Sequence, residues 1–95
     1  MFIFVLTYQK LLSEVEKYLG MHRTYLDINY KEGYFIASGR QEPRNGVIIL
    51  CRAATKELAL EIMKADPFYI NKVATYDIIE FLPTKLLMVL NVSSN

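Results

Sequence analysis

The chain has one cysteine, one histidine, no tryptophan, three prolines and four glycines in 95 residues. The lone Cys51 excludes an internal disulfide and any multi-cysteine metal centre. One histidine with scattered acids does not make a ligand set, so no metal and no cofactor are expected. With so little proline and glycine there is no linker or low-complexity segment. No apolar run approaches the roughly 18 residues that cross a bilayer. Phe2–Leu6, the first apolar run, lacks the basic region that opens a signal peptide. The expectation is a cytoplasmic protein with no membrane partner. Eleven Lys/Arg stand against ten Asp/Glu, a net charge of +1 with no basic stripe, so nucleic acid is not expected either. A glycine-rich phosphate loop and a Ser-His-Asp motif are also missing.

What the chain does have is apolar mass: 53% hydrophobic against 22% charged residues. That is globular composition. A domain of this size buries roughly two-thirds of its unfolded surface, and the apolar excess hints that a partner covers some of the rest.

Phe2–Leu6 is apolar throughout and reads as a strand buried on both faces. From Lys10 to Tyr30 the period becomes helical: Leu12, Val15, Leu19, His22, Leu26 and Asn29 share one face, widened by Leu11, Tyr18 and Tyr25. Gly20 inside this helix is a place for a kink, and Gly33 marks its end. Tyr34–Ser38 reads as a second strand, Gly39–Gly46 as a loop with Asn45-Gly46 favouring a hairpin, and Val47–Cys51 as a third strand. Thr55 suits the N-cap of a second helix with Leu58, Ile62 and Ala65 inward, stopped by Pro67. A fourth strand falls within Val73–Leu82, centred on 77–81, and Leu86–Leu90 is a fifth apolar stretch.

The order β-α-β-β-α-β predicts an α+β, ferredoxin-like fold: a four-stranded antiparallel sheet with both helices on one face, plus a C-terminal strand. The domain is expected over residues 1–83, with 84–95 as an extension. The central first and third strands lack polar alternation, yet one helical layer covers one face only. A second copy of the chain is the simplest cover for the other, giving a homodimer or a higher assembly. The tail from Lys85 either joins its partner's sheet or adds an edge strand to its own.

With this order in place, several segments resemble the YciI-like (YCII-related) family of the dimeric α/β-barrel superfamily. They are His22-Arg23-Thr24-Tyr25-Leu26, Gly33, Ala37-Ser38-Gly39 and Ala65-Asp66-Pro67-Phe68. The resemblance spans about residues 1–83, and the histidine and the Asp-Pro-Phe are its most recognisable parts. Family members often carry an Arg one turn before the histidine, where this chain has Leu19. They often have small-Gly-Pro at the end of strand two, where it has Gly39-Arg40. The resemblance implies a dimeric barrel and small-molecule chemistry such as isomerisation or dehalogenation.

Among individual residues, His22 is a lone titratable group on an apolar helix face. It suits general acid/base work, or else is a core histidine held by one hydrogen bond. Asp66 is its natural partner, either orienting the imidazole or making an Asp-Pro turn with nearby amides. As an acid at the end of a helix it is expected to face the negative pole of the dipole. Ser38, Arg40 and Arg44, at the end of strand two and in its loop, are candidates for binding substrate. Tyr25 could line the same pocket. Cys51 reads as inert core. Two functions follow. One is a cofactor-independent enzyme using a His22–Asp66 pair for proton transfer on a carbonyl- or lactone-bearing metabolite. The other is a non-catalytic module that binds a small ligand or serves assembly.

Overall fold

A computed structural model of the chain describes residues 1–87. The elements follow in the order β1 (Phe2–Tyr8), α1 (Leu12–Glu16), α2 (Leu19–Lys31), β2 (Phe35–Arg40), β3 (Gly46–Cys51), α3 (Lys56–Lys64), α4 (Pro67–Ile70) and β4 (Ala74–Glu80). The strands form one antiparallel sheet in the order β2-β3-β1-β4, which puts the two wholly apolar runs at its centre. This is the expected ferredoxin-like arrangement.

Register divides the residues between the two faces. Phe2, Phe4 and Leu6 lie opposite Cys51, Ile49 and Val47, and all six are buried beneath the helices. Val15, Tyr25, Phe35, Ala59, Ile62, Met63 and Phe68 pack into the same core, together with Ala53, Val73 and Ala74. Ile3, Val5, Ile48, Leu50 and Ile79 project from the other face, where Ile48 is 37% and Ile79 52% exposed. Side chains alternate strictly along a strand, so a continuous apolar run has to present both faces.

Several local features differ from the sequence reading. The first helix breaks at Lys17–Tyr18, where Tyr18 (φ −108°, ψ 3°) leaves helical geometry, and Gly20 sits in the unbroken first turn of α2. β2 runs on to Arg40 because Gly39 and Arg40 still pair with Ile48 and Val47, after an irregularity between Phe35 and Ala37. Gly46 belongs to β3, and its backbone lies so close to β1 that a Cβ there would meet Leu6 O at 1.7 Å. Gly33, with φ 82°, does end α2. Thr55 does cap α3, accepting from Leu58 N. Of the apolar stretch 86–90, Leu86 and Leu87 are exposed irregular backbone, and 88–90 lie outside the described residues.

Candidate functional site

The site begins with a proline. Pro67 forces the residue before it out of helical geometry and suits the first position of a new helix, where its missing N–H is no loss. Asp66 (φ −67°, ψ 127°) therefore becomes the N-cap of α4, its carboxylate accepting from Phe68 N at 2.9 Å. This reverses the expected electrostatics. Asp66 faces the positive end of α4 rather than only the negative end of α3, because Pro67 starts a helix as well as stopping one. The carboxylate is fully buried and loaded on both oxygens: Oδ1 takes the Phe68 amide and His22 Nδ1, and Oδ2 takes the Tyr76 hydroxyl. A buried carboxylate is tolerable only when hydrogen-bonded in this way.

His22 stands in the first turn of α2, 2% exposed, with Nδ1 2.8 Å from Asp66 Oδ1 across 44 residues of sequence. A carboxylate only accepts, so Nδ1 carries a proton, and in the neutral form of the ring the lone pair is on Nε2. The Phe68 ring lies parallel to the imidazole at 4.0 Å and 5°, and Tyr25 stacks more loosely at 6.0 Å. Among the described residues Nε2 has no hydrogen-bond partner although it is buried. An unsatisfied buried polar atom costs about 1–3 kcal/mol and calls for an explanation.

His22 borders a cleft of about 490 Å³ between α2, β2 and the β2–β3 loop. Ser38 and Arg40 reach its lining because they share the helix-side face of β2 with their cross-strand partners Ile49 and Val47. Arg44 comes from the loop, which is anchored to the sheet by Gln41 N to Gly46 O, Gln41 Nε2 to Leu6 O and Tyr8 N to Asn45 O. Leu19, Leu26, Val47 and Tyr8 supply apolar wall. Ser38 Oγ is 2.8 Å from the Tyr30 hydroxyl; Arg40 pairs with Glu42 (3.1 Å) and Arg44 with Glu16 (3.8 Å).

His22, Ser38, Arg40 and Arg44 thus meet at one cleft, with Asp66 behind the histidine. Tyr25 faces elsewhere. Its hydroxyl donates to Ile62 O at 2.7 Å, and its ring lines an apolar groove of about 640 Å³ between α2 and α3. That groove is the larger of the two, but it lacks the histidine and its arginines. Sequence reasoning did not single out Tyr76, Arg23 or Glu16. Arg23 follows His22 directly, and that proximity was the one available signal. Tyr76 had none, being one alternating position in a strand. Burial, and then the Asp66 charge, pushes both the Tyr76 and the Tyr25 hydroxyl well above the usual phenol range, so each remains a donor. Cys51 is buried, and burial raises its thiol too. Among the described residues no three His, Cys, Asp or Glu side chains cluster as a metal site would require.

No curated protein matches the chain in sequence. Among solved structures it is similar to 5-chloro-2-hydroxyhydroquinone dehydrochlorinase (TftG) from Burkholderia phenoliruptrix AC1100, in complex with 2,5-dihydroxybenzoquinone. The TM-score is 0.71 at 12% identity, over 86% of this chain and 94% of that one. The likeness extends the agreement in fold to nearly the whole of a solved chain. The family model of the YCII-related domain matches residues 1–82, a span that includes all four strands, His22, Asp66 and the cleft. The chain belongs to the YCII-related domain family.

Proposed function

We propose that this chain is a cofactor-independent enzyme that moves a proton on a small carbonyl- or lactone-bearing molecule. His22 Nε2 is the general base and acid, and Asp66 holds the ring in the required tautomer. The observation that carries the reading is the asymmetry of His22. Nδ1 is fixed by a buried carboxylate, and Nε2, equally buried, bonds to nothing among the described residues beside a cleft. A histidine kept only for packing would be cheaper with both nitrogens satisfied. A base must sit within hydrogen-bond reach of the proton it takes; His22 lines the cleft, and Nε2 is the ring nitrogen that no described residue engages. Ser38, Arg40 and Arg44 are the substrate-binding side chains in this reading. The similar dehydrochlorinase, named for a chlorinated hydroxyhydroquinone and bound to 2,5-dihydroxybenzoquinone, supports a ring-sized molecule.

The test is deuterium uptake. In D2O the protein should accelerate exchange of protons beside a carbonyl in a small panel of ketones and lactones, and His22→Gln should abolish the acceleration, losing about 10²–10⁴-fold. Exchange that persists in a folded His22→Gln protein rules the reading out. Tight binding without exchange would instead favour a ligand-binding module.

The open face of the sheet completes the assembly in this reading. Ile3, Val5, Ile48, Leu50 and Ile79 make an apolar surface with Asp77 beside Val5 on its β4 side, and two such sheets stacked face to face would close a barrel. The chain is accordingly a homodimer.

A further inference from the structure

Charge in the His22 cleft is unbalanced, although the chain as a whole is nearly neutral. Arg23, Arg40 and Arg44 border the cleft together with a single carboxylate, Glu16. Glu42 pairs with Arg40, so at the cleft surface three guanidinium groups stand with two carboxylates, while the Asp66 carboxylate is enclosed behind His22 and already accepts from three donors. Both existing ion pairs are easily exchanged. The Arg40–Glu42 pair is exposed on both sides, and the Arg44–Glu16 pair is long at 3.8 Å. Exposed pairs of this kind contribute between nothing and about 1 kcal/mol. Arg40 uses Nε for Glu42, which leaves its two terminal nitrogens to a ligand. Arg44 is held by an anchored loop and is the less exposed of the two, its side chain 30% accessible against 64% for Arg40.

The walls of the cleft are differently built. Leu19, Leu26, Val47 and Tyr8 are apolar, and the Ser38–Tyr30 hydroxyl pair stands beside Arg40 on β2. With Tyr30 donating to Ser38, the Ser38 proton is available to a carbonyl oxygen. A ligand complementary to this surface has an apolar body, a carbonyl, and one anionic group at the arginine end.

We propose that the cleft selects a small monoanionic organic acid, its carboxylate seated on Arg40 and Arg44 and its carbonyl-activated C–H directed at His22 Nε2. The carboxylate preference rests on the proton-transfer reading of His22 only for the position of the reacting carbon. With Asp66 enclosed by its own donors, the one guanidinium in excess at the cleft surface matches a carboxylate better than a phosphate dianion. A planar guanidinium offers the two-pronged geometry that a carboxylate takes.

Two probes of equal size test the proposal. Phenylpyruvate has a ring, a 2-oxo group and a carboxylate beside an exchangeable CH2. In 1-phenylbutane-2,3-dione a methyl ketone replaces the carboxylate. Calorimetric titration of the intact protein should find phenylpyruvate bound at least about tenfold more tightly than the dione, a preference of about 1.4 kcal/mol, that shrinks as salt is added. The double variant Arg40→Gln/Arg44→Gln, altering side chains outside the core, should fold normally and lose the preference. Equal affinity for the two probes, no binding of phenylpyruvate, or a preference that survives in the double variant overturns the proposal. Proton exchange at the CH2, followed by NMR in the same samples, reports separately on His22. Exchange of both probes without a difference in affinity sinks the anion site and spares the proton transfer. A carboxylate preference without His22-dependent exchange does the reverse.

Discussion

At the scale of single residues, Asp66 holds the site together. Its two oxygens accept from an amide, an imidazole and a phenol, so each donor depends on a charge that water does not reach. Tyr76→Phe should leave Oδ2 without a partner and cost about 1–3 kcal/mol in urea denaturation. Asp66→Ala should cost more, about 3–5 kcal/mol, because it strands three buried donors at once; if the two variants have equal midpoints, the hub assignment is wrong. The tyrosines also set a pH dependence. In the folded chain Tyr25 and Tyr76 titrate above the ordinary phenol value of about 10, so the folded state binds more protons than the unfolded one once pH passes that value. Their contribution to stability is complete below about pH 10 and declines as pH rises further. Denaturation midpoints should be flat with respect to these groups up to pH 9 and fall from pH 10 to 11. Tyr25→Phe/Tyr76→Phe should flatten that fall.

How far the sequence could reach at this scale varied from residue to residue. His22 was conspicuous as the chain's single histidine, set on an apolar helix stripe, and Asp66 as the acid in an Asp-Pro pair. The direction of the Asp66 environment was misread, because one proline can both end α3 and begin α4. Tyr76 was invisible: its role depends on which residue lies opposite the end of α3, and nothing local in a strand records that.

Elements show the same division between local and non-local causes. The α3 cap, the end of α2 at Gly33 and the four strands follow from propensities and turn chemistry that act within a few residues. The break between α1 and α2 does not, since the flexible residue, Gly20, is not where it falls. Two glycines now make opposite predictions. Gly20 is exposed in a helix with no atom within 4 Å of an added Cβ, so Gly20→Ala should raise stability by about 0.5–1 kcal/mol. At Gly46 a Cβ would collide with the Leu6 carbonyl, and the backbone on both sides is fixed by the sheet. Gly46→Ala should therefore cost more than about 4 kcal/mol or prevent folding. Thermal melts of the two variants decide it. Similar melting temperatures would mean that β1 and β3 approach less closely than described.

At the scale of the whole molecule, the sheet has one face under helices and one open face that is apolar along β1 and β3 and carries Asp77 on β4. The proposed pairing of two copies across that face predicts a definite response. Ile48→Asp, at the exposed centre of β3, should convert a dimer to a monomer in light scattering while the helix-side core keeps its circular dichroism. A charge buried between two apolar sheets costs several kcal/mol, enough to dissociate a pair of this kind. A dimer unchanged by Ile48→Asp would place the contact elsewhere. The cleft lies on the helix side, so a folded Ile48→Asp monomer also separates assembly from proton exchange.

The sequence by itself determined the order of elements, the central position of the two wholly apolar strands and the existence of an uncovered face. Those follow from periodicity and from strand alternation, which are properties of neighbouring residues. It also marked His22, Asp66, Ser38, Arg40 and Arg44 separately. Only the tertiary structure decided that His22 and Asp66 are hydrogen-bonded, that Tyr76 completes the carboxylate, and that Tyr25 turns to another groove. Each of these is a contact between residues far apart in the chain. Sequence spacing fixes which face a side chain takes on its own element, and the packing of one element on another fixes what it meets there.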